Sequence, residues 1–221
     1  MKKQLLFVLM MLMPMMSCAQ ELVPFKDKTT KLCGFKDKTD SVVIPCKWFS
    51  VRSFKEGRAL VLNQRRQTGY IDETGKEVVP CQFLGGLDFH EGLANVRYTD
   101  GKWGYIGKMG EVVIPYKWNL ASFFSEGFAA VKDSVGKWGY IDKTGDVVIP
   151  YQWNDALFFF EGFAAVKDSV GKWGYIDKMG DVVIPCVFKT AKHFINGTAI
   201  VTTDEYKGGV KIDKTGKIVS K

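Results

Sequence analysis

The sequence predicts an all-β protein, built from three-stranded meanders that repeat with a period of 35 residues. Two series of residues keep this step along the chain, a glycine within a strand and a proline near a strand end. The glycines are Gly34, Gly69, Gly104, Gly139 and Gly174, and the prolines are Pro45, Pro80, Pro115, Pro150 and Pro185. In addition, residues 124–150 and 159–185 agree at 25 of 27 positions. Such regularity indicates stacked supersecondary units that share a continuous core.

The hairpin of one unit is contained in residues 136–151, GKWGYIDKTGDVVIPY. Its first strand, residues 138–141, is aromatic and β-branched, and residues 142–145 reverse the chain. Asp142 suits the first position of a type I turn, and Gly145 can adopt the positive φ that closes the turn. Residues 147–149 return as the next strand. Because Pro150 has no N–H to donate to a ladder, we expect this strand to end there.

A third strand is predicted ahead of each hairpin, directly after a Glu-Gly pair such as Glu126-Gly127. Each unit is therefore a meander of about 24 residues, followed by a connector that carries aromatic side chains. Tryptophans of the connectors are interpreted as lids over the core, namely Trp48, Trp118 and Trp153. One domain of residues 21–220 then holds six units, at approximately 22–45, 57–80, 92–115, 127–150, 162–185 and 197–220.

The arrangement of the six units has two possible solutions, an open array or a closed ring. A single meander is too small to bury its own core, so neighbouring units must share one. Propeller blades usually have four strands and longer repeats, and closed rings often exchange a strand between the termini. We therefore predict an open, twisted, β-solenoid-like array, with a propeller-like closed array as the alternative.

The strand glycines require a physical reason, because glycine within a strand is destabilising by about 0.5–1 kcal/mol relative to alanine. A recurrent glycine in a strand indicates close approach of another group to bare backbone. Our hypothesis is that an aromatic side chain of the adjacent unit lies on Gly104, Gly139 and Gly174.

The beginning of the chain predicts export. Lys2 and Lys3 precede an apolar segment, residues 5–16, that is short for a membrane span, so residues 1–17 are interpreted as a signal peptide. The following sequence resembles a bacterial lipobox that ends at Cys18, the expected site of lipidation, although Met15 stands where leucine is usual. A rival cleavage would leave a soluble periplasmic or secreted protein that begins at Gln20. We favour an outer-membrane, periplasmic or cell-surface lipoprotein.

Charge and cysteine content add few constraints. The chain has a formal net charge of +7, which suits solubility as well as anionic partners. Three of the remaining cysteines replace tyrosine in one repeat column, and Cys33 replaces tryptophan in another. They are interpreted as small apolar substitutes in buried positions, and the sequence contains no C-x-x-C pair for a metal. The three that replace tyrosine are Cys46, Cys81 and Cys186.

The combined columns resemble the bacterial WG (KWG) repeat family. The resemblance rests on three Lys-Trp-Gly-Tyr-Ile segments and on the Thr-Gly, Val-Ile-Pro and Phe-x-Glu-Gly columns around them. Its structural repeat positions in this sequence are Trp103, Gly104, Trp138, Gly139, Trp173, Gly174, Gly145, Pro115, Pro150 and Pro185. The first and last units depart from the pattern, since neither contains the Trp-Gly pair. The resemblance implies an exported β-rich repeat protein and supplies no catalytic residues.

The acidic residues and histidines that could form a chemical site are better explained by structural roles. An acidic column begins the turns and is interpreted as turn chemistry instead of calcium ligation, because a second ligand column is missing. The glutamates of the Glu-Gly pairs are expected to accept hydrogen bonds from loop backbone. His90 and His193 occupy unrelated columns and are expected to be exposed or half-buried connector residues. We identify no catalytic triad, phosphate loop or zinc spacing, and predict no catalytic, metal or cofactor site.

The predicted function is that of an exported, non-enzymatic interaction scaffold at the bacterial cell envelope. Its partner would be a protein or a polysaccharide, and a lipid on Cys18 would attach it to the membrane. We expect no nucleic-acid partner. The alternatives are a purely structural spacer and, with less support, a hydrolase. A row of solvent-facing aromatic rings would favour binding, whereas fully buried rings would favour a spacer.

Overall fold

The computed structural model describes residues 21–220, which form six antiparallel β-sheets in chain order, here numbered sheet 1 to sheet 6. The predicted signal peptide, the expected lipidation at Cys18 and the alternative start at Gln20 lie outside the described residues. Within residues 21–220 the structure contains no helix that is long and apolar enough to cross a membrane.

The strands follow the 35-residue period. Those of sheets 1 to 3 are Val23–Lys26, Cys33–Lys36 and Val42–Trp48; Ser50–Val51, Ala59–Leu62, Thr68–Ile71 and Glu77–Phe83; and Gly85–Gly86, Ala94–Arg97, Trp103–Ile106 and Val112–Trp118. Those of sheets 4 to 6 are Leu120–Ala121, Ala129–Lys132, Trp138–Ile141 and Val147–Trp153; Asp155–Ala156, Ala164–Lys167, Trp173–Ile176 and Val182–Phe188; and Thr190–Ala191, Thr198–Thr202, Val210–Asp213 and Ile218–Ser220. The prediction of an all-β repeat protein is confirmed.

Each of sheets 2 to 6 gains a two-residue strand that the sequence pattern did not predict. In sheet 4, for example, Leu120 and Ala121 of the connector pair with Lys132 and Val131. The connector therefore crosses from the last strand of one sheet to the opposite edge of the next sheet and adds a short strand there. These two residues have no distinctive side-chain pattern, so only the tertiary structure identifies them as a strand.

The expectation that the prolines end their strands is wrong. Pro150 lies in the middle of the strand Val147–Trp153, and the equivalent prolines, including Pro115 and Pro185, occupy the same place in their strands. Two features make this possible. The strand lies at the edge of its sheet, and its register with the neighbouring strand shifts at this point. A missing N–H at an edge bulge leaves no ladder hydrogen bond unmade.

The core is divided among the interfaces between consecutive sheets. Five clusters of buried side chains occur, and each joins one sheet to the next. Among the described residues none of these clusters joins sheet 6 to sheet 1, and the array is open. At the two outward-facing ends of the array, lysine replaces a buried residue of the repeat. Lys36 of sheet 1 has the strand position that Ile141 has in sheet 4, and Lys211 of sheet 6 has the strand position of Tyr140.

Candidate functional site

The tyrosines of the Trp-Gly-Tyr-Ile strands are structural. Tyr140 is fully buried, and its hydroxyl donates a hydrogen bond to the backbone carbonyl of Leu157 in the connector at 2.8 Å. Tyr70, Tyr105 and Tyr175 make the equivalent bond seventeen residues ahead. Burial raises the pKa of each of these phenols, so the hydroxyl stays protonated as a donor. These tyrosines therefore fix the beginning of the next sheet to their own sheet, and their hydroxyls are already engaged.

The tryptophans form two groups of different exposure. The predicted lids Trp48, Trp118 and Trp153 are buried, with 2–7% of their surface exposed, which confirms that expectation. The repeat tryptophans Trp103, Trp138 and Trp173 are half-buried at the start of their strands. Lys132 lies over the Trp138 ring at 5.8 Å from its centroid, and Lys167 lies over the Trp173 ring at the same distance.

The glycine of the Trp-Gly pair is required by its own unit, and the hypothesis that the adjacent unit covers it is wrong. A side-chain carbon added at Gly139 would lie 2.6 Å from the carbonyl oxygen of Ile149 and 2.9 Å from the Tyr151 ring. Both residues belong to the bulged edge strand of the same sheet. Gly104 and Gly174 have equivalent surroundings, in which Tyr116 and Cys186, respectively, take the place of Tyr151. The bulge displaces the edge strand onto this glycine.

The turn glycines make the contact between units. Gly145 adopts φ +90°, as predicted, and a side-chain carbon there would lie 2.8 Å from Ile114 Cγ2 of the preceding sheet. Gly75, Gly110, Gly180 and Gly216 face the equivalent residue of their preceding sheets. Each hairpin turn therefore packs closely on the last strand of the unit before it.

A hydrogen bond joins the lid tryptophan of one unit to the edge strand of the next unit. Trp118 Nε1 donates to the Tyr151 hydroxyl at 2.9 Å. The residues equivalent to Tyr151 for Trp48 and Trp153 are Cys81 and Cys186, and both of these tryptophan N–H groups are buried without a partner among the described residues. All four described cysteines are free and half-buried, and burial raises the pKa of Cys81 to about 12. The substitution of tyrosine by cysteine thus leaves a buried donor unsatisfied.

We expect Cys186→Tyr to stabilise the protein by about 1 kcal/mol, because the new hydroxyl supplies an acceptor for Trp153 Nε1. The ring has room by analogy with Tyr151, which lies on Gly139 as Cys186 lies on Gly174. Thermal unfolding of the variant and of the natural protein measures the difference. Cys186→Phe is the matched control, since it adds the ring without the hydroxyl. Equal melting temperatures for the two variants would contradict the hydrogen-bond explanation.

A ladder of glutamate and lysine side chains also joins successive units. Glu126 has φ +54° in a two-residue turn, and its carboxylate accepts a hydrogen bond from the Gly162 N–H at 3.0 Å. The same carboxylate pairs with Lys178 at 3.1 Å. Glu56, Glu91 and Glu161 repeat both contacts with Gly92 and Lys108, Gly127 and Lys143, and Gly197 and Lys214. The expectation that these glutamates accept bonds from loop backbone is confirmed.

The electrostatics at Glu161, the last glutamate of the ladder, favour an ionised carboxylate. The hydrogen bond from the Gly197 N–H, reinforced by the nearby Lys214 ammonium, holds the pKa of Glu161 below its ordinary value. A carboxylate that is ionised and fully engaged by the next unit has no free role as a general acid. The left-handed backbone of each glutamate, unusual for a non-glycine residue, is compensated by these two contacts.

The acidic column consists of turn residues, as predicted. Asp142 Oδ1 accepts hydrogen bonds from the Thr144 N–H, the Thr144 hydroxyl and the Asp146 N–H, and the hydroxyl bond lowers the pKa of Asp142. In the unit with Gly107 in this column, the Glu111 carboxylate accepts from the Met109 N–H in its place. Within residues 21–220 no group of three His, Cys, Asp or Glu side chains is placed to hold a metal ion.

The surface feature that stands out is a row of aromatic rings along the connectors, consisting of His90, Phe123, Phe158 and His193. Successive ring centroids lie 4.4, 4.6 and 3.8 Å apart. All four side chains are half-buried, and Phe160 beside the row is 41% exposed. One repeat before Phe123, the equivalent residue is Asp88, which forms an ion pair with Arg52 at 3.6 Å. The aromatic row is therefore confined to the C-terminal two thirds of the array.

The row was only partly accessible to sequence reasoning. The prediction that both histidines are exposed or half-buried connector residues is confirmed. However, sequence reasoning missed that Phe123, Phe158 and His193 are separated by the repeat period, so that each ring contacts the next, with Phe123 tilted against Phe158 and His193 stacked on Phe158. Burial lowers the pKa of the His193 imidazole, whose ring stacks on Phe158.

Comparison with known proteins identifies the repeats. The sequence profile of the WG-containing repeat matches residues 34–63, 69–103, 103–134, 138–169 and 173–206. No protein of curated function matches the chain.

Several solved structures are similar in fold at low sequence identity. Hsv2 of Kluyveromyces lactis is 7% identical with a TM-score of 0.52, over 88% of this chain and 68% of Hsv2. BamB of Moraxella catarrhalis is 12% identical with a TM-score of 0.49, over 89% of this chain and 72% of BamB. The computationally designed Ika8 protein is 10% identical with a TM-score of 0.49, over 89% of this chain. This chain spans 66% of the Ika8 length, and at these identities the likeness concerns the fold alone.

Proposed function

The chain belongs to the family of WG-containing repeat proteins, and from this membership and its aromatic row we propose that it is a non-enzymatic interaction scaffold exported to the bacterial cell envelope. The row of His90, Phe123, Phe158 and His193 is the observation that carries the proposal. These rings are half-exposed and lie in the connectors, where the units differ from one another. The side chains at the regular repeat positions, by contrast, already pack in the core or contact the neighbouring unit.

A spacer would not require the aromatic row. The lid tryptophans, the buried tyrosines and the glutamate–lysine ladder already join the units, and none of them depends on exposed rings. Partly exposed aromatic side chains in a contiguous line are typical of protein interaction surfaces. The row therefore favours binding over a purely structural role.

Of the two partner classes, a protein fits the row better than a polysaccharide. Carbohydrate recognition by aromatic residues uses the open face of a ring. In this row the rings lie against one another at 3.8–4.6 Å between centroids, so every ring is covered in part by a neighbouring ring. The remaining ring edges and the adjacent Phe160 offer apolar contact of the kind that a protein surface complements.

The proposed location follows from the first eighteen residues alone. A basic start, an apolar segment and Cys18 in a lipobox-like sequence support an envelope lipoprotein. Mass spectrometry of the mature N-terminus separates this proposal from the soluble alternative. A lipid-modified Cys18 would support attachment to the membrane, whereas an unmodified N-terminus at Gln20 would support a periplasmic or secreted protein.

We expect the protein of residues 20–221 to retain an envelope protein in a pull-down and to bind weakly or not at all to a glycan array. Phe123→Ser should abolish retention, because it removes one ring from the middle of the row. Serine is chosen because Ser53 occupies the equivalent repeat position in the connector between sheets 1 and 2. Val135→Ser is the matched control, since Val135 is an 84% exposed apolar residue of a turn outside the row. Retention of no partner would favour the spacer, and turnover of a substrate would overturn the non-enzymatic proposal.

A further inference from the structure

The outer face of sheet 6 differs from the equivalent face of every other sheet because no other sheet of residues 21–220 covers it. In sheet 4, the paired residues Ala130, Tyr140 and Ile149 belong to the core shared with sheet 5. The strand register places Ile200, Lys211 and Ser220 at the same three positions of sheet 6. The fold therefore leaves at this end a surface whose geometry is that of a sheet-packing face, but whose side chains have changed.

This surface, here called the end face, contains a concave apolar site. A cavity of about 320 Å³ is lined by Lys192, His193, Ile195, Asn196, Thr198, Ile200 and Lys211. Ile195 is 61% exposed and Ile200 is 42% exposed, although both are large aliphatic residues. A smaller cavity of about 110 Å³ adjoins it, between Phe158, Phe160, His193 and Ile195. Because His193 and Ile195 line both cavities, the end face is continuous with the aromatic row.

The charge of the end face is positive and uncompensated. The glutamate of the ladder is replaced here by Asn196, which removes the carboxylate found in the preceding units. Lys192 and Lys211 form no ion pair with any residue in the described range 21–220. The turn lysines Lys108, Lys143, Lys178 and Lys214, in contrast, each pair with a glutamate. Two free ammonium groups thus flank an apolar cavity.

We propose that the end face binds a peptide segment of a protein partner in which a large apolar side chain is flanked by carboxylates. The apolar side chain would fill the cavity between Ile195 and Ile200, and the carboxylates would pair with Lys192 and Lys211. Hydrophobic burial supplies affinity, and the opposite charges supply selectivity and register. This inference rests on the proposed function as an interaction scaffold, and it specifies where and what kind of segment is bound.

Two other occupants fit the end face less well. A second copy of this chain would bring the opposite end, sheet 1, against sheet 6. Sheet 1 presents Lys36 there, over the Phe25 ring at 4.7 Å, and the Asp40 carboxylate is already engaged by Lys36 at 2.9 Å, so this pair supplies no carboxylate for Lys192 and Lys211. A membrane surface is flat and does not fill a cavity, and two lysines are fewer than the clusters of four to eight that bind anionic lipid.

The test uses the full chain and a fluorescein-labelled peptide, acetyl-Glu-Glu-Leu-Phe-Ile-Glu-Glu-amide, in a fluorescence polarisation titration. We expect saturable binding that Ile195→Asp weakens at least tenfold and that the double variant K192E/K211E abolishes. Val170→Asp is the matched control, because Val170 is an 80% exposed apolar residue in a distant turn. A peptide with lysine in place of each glutamate should bind at least tenfold more weakly.

The outcomes distinguish this inference from the proposed function. Absence of binding by the acidic peptide, or equal binding by the lysine peptide, would overturn the inference. If the partner captured by pull-down is lost with Phe123→Ser but kept with K192E/K211E, the aromatic row is a binding surface and the end face is not. Binding to vesicles of phosphatidylglycerol without binding to the acidic peptide would assign the end face to a membrane and would also overturn the inference.

Discussion

Gly139→Val should be strongly destabilising, by about 3 kcal/mol, which for a chain of this size corresponds to about 6–12 °C in melting temperature. The added side chain would begin 2.6 Å from the carbonyl oxygen of Ile149, well inside van der Waals contact. This oxygen belongs to backbone that is held on both sides of a bulge, so it has little freedom to move away. The Tyr151 ring, 2.9 Å from the same position, would also have to shift.

Thermal and urea denaturation followed by circular dichroism measure this effect. Gly208→Val is the matched control, because a side-chain carbon at Gly208 meets no atom within 4 Å and its φ lies outside the left-handed region. That variant should melt within about 1 °C of the natural protein, since surface substitutions usually change stability little. If Gly139→Val melts as the control does, close approach of the edge strand is not the reason for the repeated glycine.

Gly145→Ala should destabilise the protein by about 2–5 kcal/mol through two separate effects. Alanine at φ +90° has a left-handed backbone, which is unfavourable by about 1–2 kcal/mol. Its methyl group would also lie 2.8 Å from Ile114 Cγ2 in the preceding sheet, and such overpacking usually adds about 1–3 kcal/mol. The second effect is a property of the interface between two units.

Gly136→Ala separates the two effects within the same unit. Gly136 also has φ +90°, but its nearest neighbour is Lys132 Cε at 3.8 Å, an ordinary van der Waals distance to the far end of a flexible side chain. We therefore expect this control to lose only the 1–2 kcal/mol of the backbone term. Equal destabilisation by the two variants in urea titrations would show that the turn glycine does not couple the units.

Local features of the repeat were predictable because short-range chemistry determines them. The turn at Asp142 and Gly145 follows from hydrogen bonding of a carboxylate to its own loop and from the positive φ that glycine tolerates. Burial of Trp118 and Trp153 follows from the large apolar surface of these side chains, which lie at the ends of their strands. The acceptor role of Glu126 was also correctly expected. In each of these cases the partner is backbone or core that every unit of the array supplies.

Predictions that required knowledge of the partner strand were less successful. The end of the strand at Pro150 was wrong because an edge position and a bulge make its missing N–H harmless. The assignment of the neighbour of Gly139 to the adjacent unit was wrong for the same reason, since the bulge brings its own edge strand onto the glycine. A bulge is a shift in the pairing of two strands, so the sequence of one strand alone does not specify it.

The candidate site, too, could be predicted only in part. Phe123, Phe158 and His193 follow the repeat period, so their alignment along one line was implicit in the sequence. That these rings remain partly exposed, and that His90 joins them from a different repeat position, depends on how the connectors cross between sheets. The cavity of the end face depends on the absence of a covering sheet, which strand patterns within one unit do not reveal.

The all-β class, the 35-residue period, the turn chemistry and the burial of the aromatic lids could be predicted before the structure was known, since they arise from local hydrogen bonding and from hydrophobic patterning within one unit. The short fourth strand, the bulge over Gly139, the contact of Gly145 with Ile114 and the open ends of the array became visible only in three dimensions. Each of these depends on the distance between groups that are far apart in the chain. That distance is set by how neighbouring sheets pack, and the packing is a joint property of two units.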